Sequence, residues 1–313
     1  CPGPLKGVLS AAAATRALAA GLARAAVEVD QAPMADGGEG TAEALRTSLG
    51  GEWGRASVSD PLGRAVEARF ALLPDGRAVV EAAAAIGLAR LARDELEPMR
   101  ASSRGLGQLI VAAQDAGATG LVVGLGDSAT VDGGAGLREV VGAVPAGTLV
   151  ACDVANPLLG PRGAARAFGA QKGATPAQVE ELERRLASDP LLEPYADLPG
   201  AGAAGGLGAA LASLGATLVP GSELVAEAIG LRARFGGAAL VVTGEGTVDA
   251  ASREGKLTGL VASLAANAGV RCVVFGGRIE AGLPGAETVA LSGDPSRAEA
   301  DLEALGERLG RPA

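Results

Sequence analysis

The chain has 313 residues, 48% of them hydrophobic but only 2% aromatic, a formal net charge of −9 and no histidine. This length allows two domains with buried cores made mostly of Ala, Val and Leu, and the shortage of aromatic residues argues against a sandwich or jelly roll. The acidic balance disfavours a nucleic-acid partner, and the absence of histidine removes the serine and cysteine hydrolase triads, the HExxH metalloproteases and most zinc sites.

Ser10 predicts the cap of an Ala/Leu-rich helix to about Ala26, and a second helix is predicted over Thr41–Leu49. Short strands are predicted at Ser57–Ser59, Val66–Leu73 and Ala78–Glu81, separated by the turns Asp60-Pro61 and Pro74-Asp75-Gly76. A helix from Ser102 to Asp115 then leads into strand Leu121–Val123. Strand Leu149–Cys152 and helices near Pro176–Ala187 and Leu207–Leu214 follow. Beyond Pro220 the alternation is clearest: helix Ser222–Phe235, strand Ala239–Thr243, helix Lys256–Ala268, strands Cys272–Phe275 and Thr288–Leu291, and a helix from Ser296. Strands alternating with helices of this length predict a parallel sheet covered on both faces. The hairpin-like texture after residue 56 predicts a second α/β domain, residues 56–221, inserted into a parallel-sheet domain made from residues 1–55 and 222–313.

Three segments carry the chemistry. They are Met34-Ala35-Asp36-Gly37-Gly38-Glu39-Gly40-Thr41, Gly124–Gly136 (GLGDSATVDGGAG) and Thr243-Gly244-Glu245-Gly246-Thr247-Val248-Asp249. Glycine lets backbone N–H groups approach a ligand, and successive N–H groups form an anion-binding concavity. Carboxylates beside such a turn imply a divalent metal or a substrate hydroxyl. Phosphate, metal and hydroxyl together point to phosphoryl transfer. The last two segments follow predicted strands, and ligands of open α/β sheets bind outside strand carboxyl ends.

The three lysines, Lys6, Lys172 and Lys256, each adjoin a glycine in a chain whose other basic residues are all arginine. A compact ammonium suits phosphate oxygens. Gly200-x-Gly202-x-x-Gly205 matches the dinucleotide fingerprint only as a string, since no clean strand precedes it. Gly124-x-Gly126-x-x-Ala129 lacks the ribose-binding acid, and no P-loop is present. Ser102, Ser103, Ser128 and Thr130 read as cap or turn residues, without a nucleophile elbow. Cys1, Cys152 and Cys272 have no CxxC spacing, which fits a reducing compartment. Gln114 and Asp115 interrupt the longest apolar run, and no signal peptide is visible. A cytoplasmic protein without membrane contact is expected.

PMADGGEGT (33–41), DPLGR (60–64), GLGDSATVDGGAG (124–136), CDVANPLLGPRGAARAFGAQKGATP (152–176), LPGAGAAGGLGAAL (198–211) and TGEGTVD…GK (243–256) closely resemble the bacterial glycerate kinase family, in order along nearly the whole chain. The resemblance implies that D-glycerate is phosphorylated by ATP with Mg²⁺. The implied fold has a flavodoxin-like domain formed by both chain ends and an inserted α/β domain, with the substrates meeting in the interdomain cleft. The favoured product is 2-phosphoglycerate rather than 3-phosphoglycerate, and a homodimer is an open alternative to a monomer. The chain departs from the family pattern at Gly3 (usually Asp), Ile86 (Ser), Arg104 (Tyr), Asp127 (Gly) and Val131 (Asn). These departures motivate an alternative, a non-catalytic relative that senses a small hydroxy acid or nucleotide.

On the kinase reading Lys6, Asp36, Glu39, Asp132 and Lys256 are the expected catalytic residues. Gly37, Gly38, Ser128, Thr130, Asp153, Lys172, Gly244, Glu245, Gly246 and Asp249 are expected to bind substrate or nucleotide. Asp36, Asp132 and Glu245 are expected to face magnesium. With no histidine, a carboxylate must accept the hydroxyl proton.

Overall fold

The computed structural model describes residues 1–250, 252 and 256–311. Contacts divide the chain into two compact units, one comprising Cys1–Asp36, Glu43–Leu49 and Ser222–Ala313, the other Gly37–Ala42 and Gly50–Gly221. The chain passes from the first unit into the second within the first glycine–acid segment, between Asp36 and Gly37.

The second unit is built on a six-stranded mixed sheet, β1 (Glu52–Ser59), β2 (Ala65–Leu72), β3 (Arg77–Glu81), β4 (Gly120–Gly124), β5 (Leu149–Ala151) and β6 (Thr217–Val219), in that spatial order. The first two pairings are antiparallel and the remaining three parallel. β1 starts five residues earlier than its apolar alternation predicts. Arg69 stacks over the Trp53 ring at 4.2 Å, so this first stretch is held by surface side chains rather than by burial. Helix Arg104–Asp115 packs Leu106, Leu109 and Ile110 onto Phe70, Val80, Leu121 and Val123. A second cluster gathers Val131, Leu158, Leu182, Leu186 and Leu192.

In the first unit, β7 (Leu240–Val248), β8 (Arg271–Ile279) and β9 (Glu287–Ala290) form a parallel sheet. Hydrogen bonds continue it past β7: Gly3 N–H donates to Gly244 O at 2.9 Å and Met34 N–H to Pro2 O at 2.9 Å. The resulting neighbour sequence, residues 32–34, 1–3, β7, β8, β9, is the flavodoxin-like order. Its core joins Leu18 of helix Ala11–Arg24, Val242, Phe275 and Leu302 of helix Ala298–Gly310. Ser10 caps the first helix as predicted, accepting from Ala13 N–H at 3.2 Å.

Two expectations change. The helix predicted over Ser222–Phe235 is two helices, Gly221–Ala228 and Leu231–Arg234, separated where Gly230 takes φ +63°. β7 runs on to Val248, so Gly244, Glu245 and Gly246 lie within a strand rather than in a loop after it. Pairing of Thr247 and Val248 with Arg278 and Ile279 provides the extra bonds. Among the described residues no helix is long and apolar enough to cross a membrane.

Candidate active site

In the second unit the parallel strands β3, β4 and β5 end in register at Glu81, Gly124 and Ala151. The glycine–acid loop of residues 37–42 lies on these ends. Gly126 N–H donates to Gly37 O at 3.1 Å, Glu39 N–H to Asp127 Oδ2 at 3.4 Å and Ala42 N–H to Glu81 Oε1 at 2.7 Å. Gly37 has φ +86°, and a Cβ there would stand 2.7 Å from Ala151 O. A Cβ on Gly126 would run into Gly38 Cα. Here glycine lets one backbone lie directly against another. Gly37 and Gly38 are buried, while the Glu39 side chain is exposed.

Glu81, which sequence reasoning passed over, is the most perturbed acid of this region. Burial raises its carboxyl to about 7, against the opposing bonds from the Ala42 and Gly40 amides. Sequence marks it only as the last residue of a predicted strand; its burial against residues 40–42 comes from the fold.

The loop after β4 is held from inside. Lys172, 2% exposed, donates Nζ to Ser128 Oγ at 3.1 Å and to Thr130 O at 2.8 Å. Burial lowers its ammonium to about 7, with Asp132 pulling the other way. The Thr130 hydroxyl is buried and has no hydrogen-bond partner. Asp132 accepts four bonds. Ser103 N–H and Ser103 Oγ donate to Oδ2 at 2.8 Å each, Gly136 N–H to Oδ2 at 3.2 Å and Gly134 N–H to Oδ1 at 3.1 Å. Three of these bonds fall on Oδ2 and one on Oδ1, so the fold fixes the carboxylate and leaves acceptor capacity on Oδ1. In this conformation Asp132, expected to face magnesium, and Lys172, expected to bind substrate or nucleotide, both bind the 127–136 loop. Asp153 takes Gly221 N–H at 2.6 Å.

The family departures also acquire physical reasons. Ile86 and Val131 are buried in the two hydrophobic clusters of this unit. Arg104 pairs with Glu139 at 2.7 Å. Asp127 takes φ +60°, a conformation that suits the glycine it replaces. Gly205, once a fragment of an apparent dinucleotide string, packs its Cα against the backbone of Thr130 and Val131.

In the first unit, Glu245 Oε1 accepts from Ser252 Oγ at 2.9 Å, and Asp249 Oδ1 accepts from Ser252 N–H at 3.1 Å. Lys256 is exposed at the N-cap of helix Leu257–Asn267; its neighbour Gly255 lies outside the described residues. Asp36 is half-buried where the chain leaves this unit. A cavity of about 350 Å³ opens at the carboxyl ends of the sheet, with Lys6, Gly246, Arg278, Leu291 and Asp294 in its wall. Lys6 and Gly246 are thus brought together; Glu245, Asp249 and Lys256 are not part of that wall. Among the described residues no group of three or more Cys, Asp or Glu is placed to hold a metal ion.

A model of the glycerate kinase family matches residues 1–147 and 145–293. Glycerate 2-kinase of Escherichia coli K12 is 41% identical over 273 residues, 74% of this chain and 72% of that protein. Glycerate kinase of Halalkalibacterium halodurans is 38% identical over 90% of this chain and 85% of its own length. The crystal structure named "putative glycerate kinase 2" from Salmonella typhimurium LT2 superposes with a TM-score of 0.85 at 33% identity, covering 99% of this chain and 96% of that one. With matched segments spanning most of its length and the motifs in the same order, the chain belongs to the glycerate kinase family.

Proposed function

We propose that this protein transfers the γ-phosphoryl group of ATP to D-glycerate, with the 2-hydroxyl as the favoured acceptor. The observation that carries the reading is the position of Lys6 and Gly246 at the carboxyl ends of a flavodoxin-like sheet, in a chain 41% identical to a protein named glycerate 2-kinase. Phosphoryl transfer asks a protein for positioning and charge neutralisation more than for covalent chemistry. Lys6 and Lys256 supply ammonium groups for phosphate or carboxylate oxygens. Asp36, Glu39 and Glu245 are the acids proposed for substrate hydroxyls or magnesium.

Magnesium is compatible with this donor set. It is ordinarily held by one or two carboxylates together with substrate phosphates and water, so a three-acid cage is not required. When bound it neutralises charge on the transferring phosphoryl group. The hydroxyl proton needs a carboxylate acceptor, and Glu81, with its affinity for a proton near neutral pH, joins Asp36 and Glu39 as a candidate.

The test is ADP release from MgATP in the presence of D-glycerate. Enolase added directly to the product distinguishes 2-phosphoglycerate, which it dehydrates, from 3-phosphoglycerate, which it leaves. No glycerate-dependent ADP release would refute the reading. Product inert to enolase would refute the 2-hydroxyl alone.

A further inference from the structure

Gly244 and Gly246 stand two residues apart in β7, and only one of them has a structural reason to be glycine. A Cβ on Gly244 would run into Phe275 O on the neighbouring strand. A Cβ on Gly246 would meet nothing nearer than Lys6 N at 4.0 Å, and its φ is not in the left-handed region. Glycine inside a strand weakens it and marks a place where a ligand or another backbone comes close. No backbone does so at Gly246, and its missing side chain opens the cavity of about 350 Å³.

The character of that cavity selects the ligand. Leu5, Val8, Leu291, Pro295 and Ala298 form an apolar wall, with Lys6 and Arg278 as the cations and Asp294 and Asp301 as the acids. Glycerate is polar along its whole length and has nothing to set against that wall. A nucleotide has all three parts: a base for the apolar wall, ribose hydroxyls for a carboxylate, and phosphates for the two cations. Resting on the proposed kinase reaction, we infer that this cavity in the first unit is the adenine-nucleotide site. Gly246 is its floor, Leu291 and Pro295 flank the base, and Lys6 and Arg278 take the phosphates.

Two variants test this, with ADP and adenosine as probes in calorimetric titrations without glycerate. Gly246→Val adds a Cβ that would stand 4.0 Å from Lys6 N, with its methyl groups entering the cavity, and thermal melting reports whether the variant folds. Its affinity for ADP and for adenosine should both fall at least about tenfold. Arg278→Ala removes an exposed cation and cannot disturb the core, so it keeps the question open should Gly246→Val misfold. It should weaken ADP several-fold and leave adenosine unchanged. Folded Gly246→Val that binds ADP normally would overturn the assignment, as would Arg278→Ala weakening both probes equally or neither. A raised KM for D-glycerate in Gly246→Val, with normal ADP binding, would also overturn it. Because the titrations omit glycerate, absent turnover in the parent protein would sink the kinase reaction while leaving the cavity assignment standing.

Discussion

Asp132 and Glu245 both stand among glycines near the carboxyl ends of parallel strands, one in each unit, and the fold uses them differently. Around Asp132 four donors converge on the carboxylate, a buried lysine ties the same loop to Ser128 and Thr130, and Gly205 presses against its backbone. Around Glu245, among the described residues, the Ser252 hydroxyl donates, and the next residue, Gly246, borders open space. Glycine-rich acidic sequence therefore has two physical meanings. In the second unit it builds a loop whose acid and lysine are engaged internally, with the Thr130 hydroxyl left without a partner. In the first it leaves polar groups and volume for something else to fill.

The largest expected effect breaks or sustains that contrast directly. Asp132→Ala would leave four donors around Ser103 and the glycines without their acceptor, and a loss on the order of 3 kcal/mol is expected. Glu245→Gln keeps an acceptor for Ser252 and should stay within about 1 kcal/mol of the parent while slowing turnover. Urea unfolding and ADP release on the two variants measure both quantities. Equal stability losses would erase the distinction between a structural and a functional acid.

Asp36→Ala and Glu39→Ala come next. Neither carboxylate is deeply buried, so stability should change by no more than about 1 kcal/mol. Glycerate-dependent rate should fall on the order of a hundredfold if either holds magnesium or the reacting hydroxyl. Near-normal turnover in both would place the chemistry elsewhere, with Glu81 the first alternative.

The buried lysine and the buried glutamate give the second unit opposing pH signatures. Folded Glu81 keeps its proton to about pH 7, whereas the unfolded chain releases it near 4.5. Between those values the folded state binds more protons, so this contribution to stability falls as pH rises. Folded Lys172 loses its proton near pH 7, whereas the unfolded chain holds it to about 10.5, so stability rises with pH across that interval. Each contribution is on the order of a few kcal/mol. Denaturant midpoints against pH should lose the acidic-side slope in Glu81→Gln and the alkaline-side slope in Lys172→Met. Slopes that survive both substitutions would show that other groups set them.

Much of this architecture was legible from sequence. The capped helix at Ser10, the helices Thr41–Leu49 and Pro176–Ala187, and the strands at β4, β5 and β9 all followed from period and turn residues. What sequence could not give was the use of each glycine. Gly37, Gly126, Gly205, Gly244 and Gly246 read alike as symbols of close approach, and only the fold shows what approaches. Glu81 was missed because its interest comes from burial beside residues 39 positions away, a long-range effect absent from any local pattern. The overlong β7 reflects tertiary pairing with β8, which overrides the turn tendency of Gly244-Glu245-Gly246.

The smallest expected effect lies at Asp127, where the second unit carries a side chain in a glycine-like conformation. At φ +60° an aspartate is tolerated better than most residues, because its short side chain can bond locally. Asp127 Oδ2 also accepts from Glu39 N–H at 3.4 Å, a bond across 88 positions and long enough to be weak. Asp127→Gly would relieve the conformational strain but lose the bond and gain freedom in the unfolded chain, and these changes oppose one another. The net change should be less than about 1 kcal/mol in either direction. Asp127→Val has no such compensation, since a β-branched residue is poorly accommodated there, and should lose about 1–3 kcal/mol. Comparing the two by thermal denaturation isolates backbone strain from the carboxylate. If valine proved as stable as glycine, the left-handed turn would not be a constraint on this loop, and its rigidity would have to come from Asp132 and Lys172 alone.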